Sequence, residues 1–247
     1  MTLILLFITG LVAGLVDAIA GGGGLITVPV LLSTGMSPSV ALGTNKLQSS
    51  VGTLMAVRHF HGRGFLSFRE FSHGLCFCAI GALLGASTTT FMNPHFFKLI
   101  VPYLLFSILA YMMIAPRLNR QLTFFTARMA PSVFYFLFGV SLGFYDGFFG
   151  PGTGAFWMFA FMFFMGFDIL KATAHTKLFN LTSNLVALAF FIVMNCVDYR
   201  VGFCMAAGQW IGGSLGARLA IYKGAQLIRP LFLTMVFATI VVMVRAG

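Results

Sequence analysis

Ten apolar segments run along the chain, at 2–20, 24–34, 39–60, 68–91, 96–115, 131–149, 154–166, 171–195, 200–220 and 227–245. Short stretches rich in Gly, Pro, Asn or basic residues separate them. A helix rising 1.5 Å per residue needs roughly 20 apolar residues to cross the ~30 Å of hydrocarbon in a bilayer. All but 24–34 and 154–166 meet that length. These two each follow a Gly-rich break, which predicts the returning arm of a re-entrant or broken helical hairpin. Backbone opened by such a break is tolerated only where it is buried in protein or lines a wet cavity.

The pattern occurs twice. Residues 14–32 read GLVDAIAGGGGLITVPVLL, with ALGTNKLQSSVGTL at 41–54; residues 143–161 read GFYDGFFGPGTGAFWMFAF, with ATAHTKLFNLTSNL at 172–185. In each copy an aspartate ends one apolar segment, a Gly-rich break follows, and a lysine lies inside the next span. Asp17 thus matches Asp146, Gly21 matches Gly150, and Lys46 matches Lys177. Further on, Gly81 and Gly85 match Gly212 and Gly216, and Leu-Ile-x-Pro recurs at 99–102 and 227–230. The ladder Gly208, Gly212, Gly216 reads as close helix packing in lipid. The expected organisation is a single transmembrane domain of two repeats, about 1–123 and about 124–247, each a hairpin plus three transmembrane helices.

Composition agrees. Apolar residues make up 59% of the chain and charged residues 8%, with a mean hydropathy of +0.97, whereas soluble domains carry roughly 25% charged residues. The expectation is an all-α integral membrane protein. The net charge of +10 does not point to nucleic acid, because the basic residues sit between spans rather than on one surface. There they set orientation. With the amino terminus outside and both hairpins returning to their side of entry, the cytoplasmic loops hold Arg58, Arg63, Arg69, Arg117, Arg120, Arg128, Lys171, Arg218, Lys223 and Arg229. The outside holds only Lys98, Arg200 and Arg245. Each half then crosses the membrane an odd number of times, so the second is inverted relative to the first. The first segment has no basic stretch before it and contains part of the repeated motif, so it reads as a span and not a cleaved signal.

Lys46 and Lys177 lie about seven residues into their spans, or roughly 10 Å from opposite faces. A lysine at such depth costs at least about 2.5–3.5 kcal/mol unless paired or hydrated. Three readings follow: an internal salt bridge to Asp17 and Asp146, glue between the halves, or contact with an anionic substrate. The third gains from the neighbours, since positions i, i+3 and i+7 share a helix face. That face carries Lys46, Ser49 and Thr53 in one copy and Lys177, Asn180 and Asn184 in the other, with Asn45 and Thr176 beside them. Each hairpin also starts a helix within the membrane, near Gly24–Leu25 and Gly154–Ala155. Its free N–H groups attract anions, which adds Gly23, Gly24, Gly152 and Thr153 to the candidate substrate-binding residues.

Asp17, Asp146 and His175 are candidates for coupling or structural pairing; imidazole titrates near neutral pH. Cys76, Cys78, Cys196 and Cys204 lack metal-ligand spacing with histidine. No nucleophile–base arrangement, P-loop, metal site or cofactor motif is present, so enzyme function is not expected.

At DAIAGGGG (17–24), ALGTNKL (41–47), GFYDGFFG (143–150) and KATAHTKL (171–178), the chain resembles the TauE/SafE sulfite-exporter family of membrane permeases, in particular its YfcA-like branch. The likeness runs over essentially the whole sequence. It implies a multi-pass transporter of the cytoplasmic (inner) membrane, without a cofactor, for sulfur-containing or other organic anions such as sulfite and sulfonates. The second break, GPGTG, sets Thr153 opposite Gly24, so the two hairpin tips differ. The leading expectation is a secondary transporter of small anions working by alternating access, coupled to protons or sodium, as a monomer or a homodimer. Two others stay open: a non-transporting membrane scaffold or sensor, and a cation-coupled transporter that binds its ion through the aspartates.

Overall fold

The computed structural model describes residues 2–66, 71–91 and 127–224. The expected spans 96–115 and 227–245, both Leu-Ile-x-Pro motifs, and Arg69, Lys98, Arg117, Arg120, Arg229 and Arg245 lie outside the described residues. Those described form eight helices and no strand: α1 (Leu3–Ala20), α2 (Gly23–Ser33), α3 (Pro38–Gly62), α4 (Ser72–Phe91), α5 (Pro131–Phe148), α6 (Thr153–Met165), α7 (Ile169–Val193) and α8 (Tyr199–Lys223). Three stretches, Leu3–Ala20, Ser72–Thr89 and Ile169–Val193, are long and apolar enough to cross a membrane. Helices α3 and α8 match α7 in length at 25 residues, about 38 Å at 1.5 Å per residue. The shorter α2 and α6 have 11 and 13 residues. They reach only about half to two-thirds of the way through the hydrocarbon.

Local chemistry places the helix ends. α2 and α6 start at Gly23 and Thr153, one residue before the expected positions. α7 and α8 also start slightly early, because Asp168 and Asp198 cap them. Asp168 accepts from the N–H groups of Leu170 and Lys171 at 2.9 Å each, and Asp198 accepts from Val201 N–H at 3.0 Å. Such caps satisfy N–H groups that have no partner within the helix.

Packing in one half repeats in the other with the partners exchanged. α1 lies along α8 while α5 lies along α4; α3 packs on α8 while α7 packs on α4; and α3 meets α7 in the middle. Glycines allow the close approaches. Gly81 abuts the Val140 carbonyl as Gly212 abuts that of Leu11, and Gly85 abuts the Phe144 carbonyl as Gly216 abuts that of Leu15. Dispersion contacts between backbones are the main attraction available to helices in lipid, which explains the small residues along these seams. An aromatic cluster around Phe134, Trp157, Phe161 and Phe179 fills the space among α5, α6 and α7.

The two Gly-rich breaks meet backbone to backbone. α1 ends at Gly21, whose φ of +77° suits glycine, and whose N–H donates to the Asp17 carbonyl at 2.8 Å. A Cβ added to Gly21 would stand 2.6 Å from the Gly154 carbonyl carbon, and one added to Gly154 would stand 2.5 Å from Gly21 Cα. This junction carries the candidate site.

Candidate functional site

Both lysines are buried, Lys46 at 1% and Lys177 at 0% exposure, and each meets an aspartate from the other half. Lys46 Nζ donates to Asp146 Oδ1 at 2.7 Å and to Asn184 Oδ1 at 3.0 Å. Lys177 Nζ donates to the backbone carbonyl of Asp17 and lies 3.3 Å from its Oδ2. Of the readings left open for these lysines, the internal salt bridge is the one seen, made crosswise between the two halves. A buried charge without a counter-charge is too costly to keep, and the two-half arrangement brings an aspartate within reach of each lysine.

The pairs are not equivalent. Asp146 has both oxygens engaged, Oδ1 by Lys46 and Oδ2 by the Ser183 hydroxyl, and its side chain is only 5% exposed. Asp17 is held more loosely: Lys177 and Gly23 N–H both contact it at 3.3 Å, and its side chain is 18% exposed. Gly23 N–H belongs to the first turn of α2, so the Asp17 carboxylate sits where an ammonium and a helix amino terminus converge.

Beside these pairs lies a cavity of about 20 Å³, room for roughly one water. Its walls comprise Asp17, Gly21 and Gly24; Asn45 and Ser49; Asp146, Gly150, Gly152, Thr153 and Gly154; and Asn180 and Asn184. Its polar groups are oriented by a buried network. Asn45 Oδ1 accepts from the Thr27 hydroxyl at 2.5 Å and from Gln48 Nε2 at 2.9 Å, and Gln48 Oε1 in turn accepts from Gln209 Nε2 at 3.5 Å. With its oxygen occupied, Asn45 has its amino group left to donate. Asn184, whose oxygen faces Lys46, is in the same position. Ser49 adds its side chain to the wall, and among the described residues Asn180 Oδ1 is buried without a partner.

Of the sequence candidates, Asn45, Ser49, Asn180, Gly24, Gly152, Thr153, Asp17 and Asp146 line the cavity. Lys46 and Lys177 stand behind it on the carboxylates, and Gly23 reaches it through Asp17. Thr176 is buried, its hydroxyl without a partner among the described residues, and it is not part of the wall. His175 is not either: its Nδ1 lies 2.6 Å from the Lys171 carbonyl, and Phe71, Phe161 and Phe167 surround its ring. Thr53, expected on the polar face, turns its hydroxyl back to the Ser49 and Ser50 carbonyls of its own helix. Sequence reasoning placed Asn184 on the polar face without assigning it a role; it is an acceptor for Lys46. It missed Ser183 as the Asp146 donor and the Thr27–Asn45–Gln48–Gln209 network. The i+6 spacing of Lys177 and Ser183 is no face rule, and the network joins three helices that no periodicity connects.

A sequence model described as Sulfite exporter TauE/SafE matches residues 6–243. The chain is 42% identical over 235 residues to a Haemophilus influenzae protein named "Probable membrane transporter protein", covering 95% of this chain and 91% of that one. It is 40% identical over 226 residues to "Probable membrane transporter protein YfcA" of Escherichia coli K12, covering 92% and 83%. A more distant relative at 24% identity is "Probable membrane transporter protein YunE" of Bacillus subtilis. No solved structure shows significant similarity to it. With the family pattern matched from α1 onward, and with relatives of 40% identity or more aligned over nine-tenths of its length, this chain belongs to the TauE/SafE family.

Proposed function

We propose that the protein is a secondary transporter of small anions, working by alternating access between two inverted repeats, about 1–123 and 124–247, in the cytoplasmic membrane. The names of its relatives support transport, and the family description supports a sulfur oxyanion such as sulfite or a sulfonate. The observation that carries the anion reading is the donor-rich wall. Asn45 and Asn184 have their oxygens occupied and their amino groups unspent, Ser49 and Asn180 add polar groups, and two ammonium ions stand directly behind the carboxylates. The exchanged helix contacts support the repeat. A cavity for one water is too small for an oxyanion of four heavy atoms, so substrate enters only when the halves move apart.

The neutralised lysines favour a second reading, a membrane scaffold that moves nothing. Reconstituted vesicles separate the two. Sulfite and methanesulfonate counterflow is expected for the wild-type protein, and at least a tenfold loss for Lys46→Met and Lys177→Met. Flux of sodium or potassium without anion flux would instead assign the aspartates to a cation. Absence of any flux would leave the scaffold.

A further inference from the structure

We propose that the carboxylate of Asp17 occupies the substrate's own place, so that an anion binds only as Asp17 takes up a proton, while Asp146 remains a fixed partner of Lys46. This rests on the anion-transport reading and assigns its coupling ion. Three observations carry it. First, Asp17 joins the groups an incoming oxyanion would use, the Lys177 ammonium and the Gly23 N–H of α2, both at 3.3 Å. Secondly, it borders the cavity with its side chain 18% exposed, whereas Asp146, at 5%, is saturated by Lys46 and Ser183. Thirdly, Asn180 lines the same cavity, and its buried amide oxygen has no partner among the described residues, leaving an acceptor there for a ligand hydroxyl or a water carried with it.

The charges balance in only one way. The Asp17–Lys177 pair is neutral. An anion placed on Lys177 beside an ionised Asp17 adds a net negative charge to a narrow, largely buried site, which is strongly unfavourable. If the carboxylate gains a proton, its O–H can donate to the anion, Lys177 stays an ammonium, and the site is neutral again. Other groups do not supply the proton. Across the cavity stands Asp146, already paired with Lys46 of α3, while α2 and α6 carry no titratable side chain. On α7, His175 is enclosed by aromatic rings outside the cavity wall. On α8, Arg218 acts on His59 near the far end of α3, and Arg200 and Lys223 are exposed.

The test uses the full chain in vesicles with methanesulfonate, which stays a monovalent anion throughout the accessible pH range, and with sulfite. Wild-type uptake should alkalinise the external medium by one proton per methanesulfonate. A gradient of one pH unit should drive about tenfold accumulation, insensitive to membrane potential. In Asp17→Asn, which keeps an oxygen for Gly23, counterflow should persist at a lowered half-saturating concentration, while proton movement and pH-driven accumulation vanish. Counterflow in that variant also reports that it has folded. pH-driven uptake surviving in Asp17→Asn would overturn the assignment and leave anion transport intact. So would wild-type uptake driven by sodium or by membrane potential with no proton movement. Failure of the wild type to move either anion under any gradient would remove both this inference and the anion reading beneath it.

Discussion

Asp146→Asn is the sharpest test of the charge arrangement. The substitution keeps the shape and removes the counter-charge of Lys46, which is 1% exposed. Removing one partner of a buried ion pair costs about 3–5 kcal/mol, because the other charge stays buried and uncompensated. Lys46 retains Asn184 Oδ1 at 3.0 Å, which sets the expectation at the lower end, about 3 kcal/mol. For a chain of this length that corresponds to a fall in Tm of roughly 6–12 °C. Asp17→Asn should do less. The contact there is 3.3 Å, the side chain is 18% exposed, and Lys177 keeps the Asp17 backbone carbonyl. Screening by the open side reduces the loss to about 1 kcal/mol, or roughly 2–4 °C. The assay is a thermal scan of both variants in one detergent at one heating rate. The paired replacement Lys46→Met with Asp146→Leu, which leaves no charge behind, should recover most of the larger loss. Equal falls for the two aspartates, or a larger one for Asp17, would refute the asymmetry.

Two further predictions concern the fold. Gly21→Ala and Gly35→Ala both place a side chain at positive φ, +77° and +88°, but Gly35 has nothing within 4 Å of the added carbon while Gly21 meets the Gly154 backbone at 2.6 Å. Backbone strain alone costs about 1–2 kcal/mol; Gly21→Ala should therefore lose clearly more thermal stability than Gly35→Ala, and transport with it. Asp168→Ala should cost about 1 kcal/mol through loss of the α7 cap, visible as a small fall in Tm with anion counterflow unchanged.

Much of this arrangement was legible because membrane insertion makes polar residues informative. An aspartate, a glycine run and a lysine recurring in one order within apolar sequence mark where the chain breaks and where charge is buried. The structure places most of the singled-out residues around one cavity. The partners were less legible. That lysines and aspartates attract each other follows from charge alone, but whether Lys46 meets Asp17 or Asp146 depends on how two helix sets cross, and no period within one segment encodes that. The same holds for Ser183 and for the carbonyls beneath Gly81 and Gly212. Thr53 and His175 stand off the cavity for separate reasons. Thr53 was placed on the polar face by helical spacing, yet a hydroxyl can satisfy itself on its own helix. His175 was a candidate for coupling or structural pairing because imidazole titrates near neutral pH, and it sits on the Lys171 carbonyl among aromatic rings.

Crossed pairing also constrains how such a molecule moves. Each ion pair joins one half to the other, so any rocking of the halves lengthens at least one of them. At an effective dielectric of about 20, drawing a unit pair from 3.3 Å to about 6 Å costs roughly 2 kcal/mol. An anion arriving on Lys177 recovers an energy of that size, and a proton on Asp17 removes the need to spend it. The shorter Lys46–Asp146 pair, tied also to Ser183 and Asn184, would have to give up several contacts together. If the protein works by the alternating access proposed above, this predicts the hinge at Lys46 and the opening at Lys177, although the two lysines match in the repeated sequence motif. Tethering tests that order. A cross-link between α1 and α7 near Asp17 and Lys177 should stop counterflow, and one between α3 and α5 near Lys46 and Asp146 should leave it running. The opposite pattern would move the hinge to the other pair.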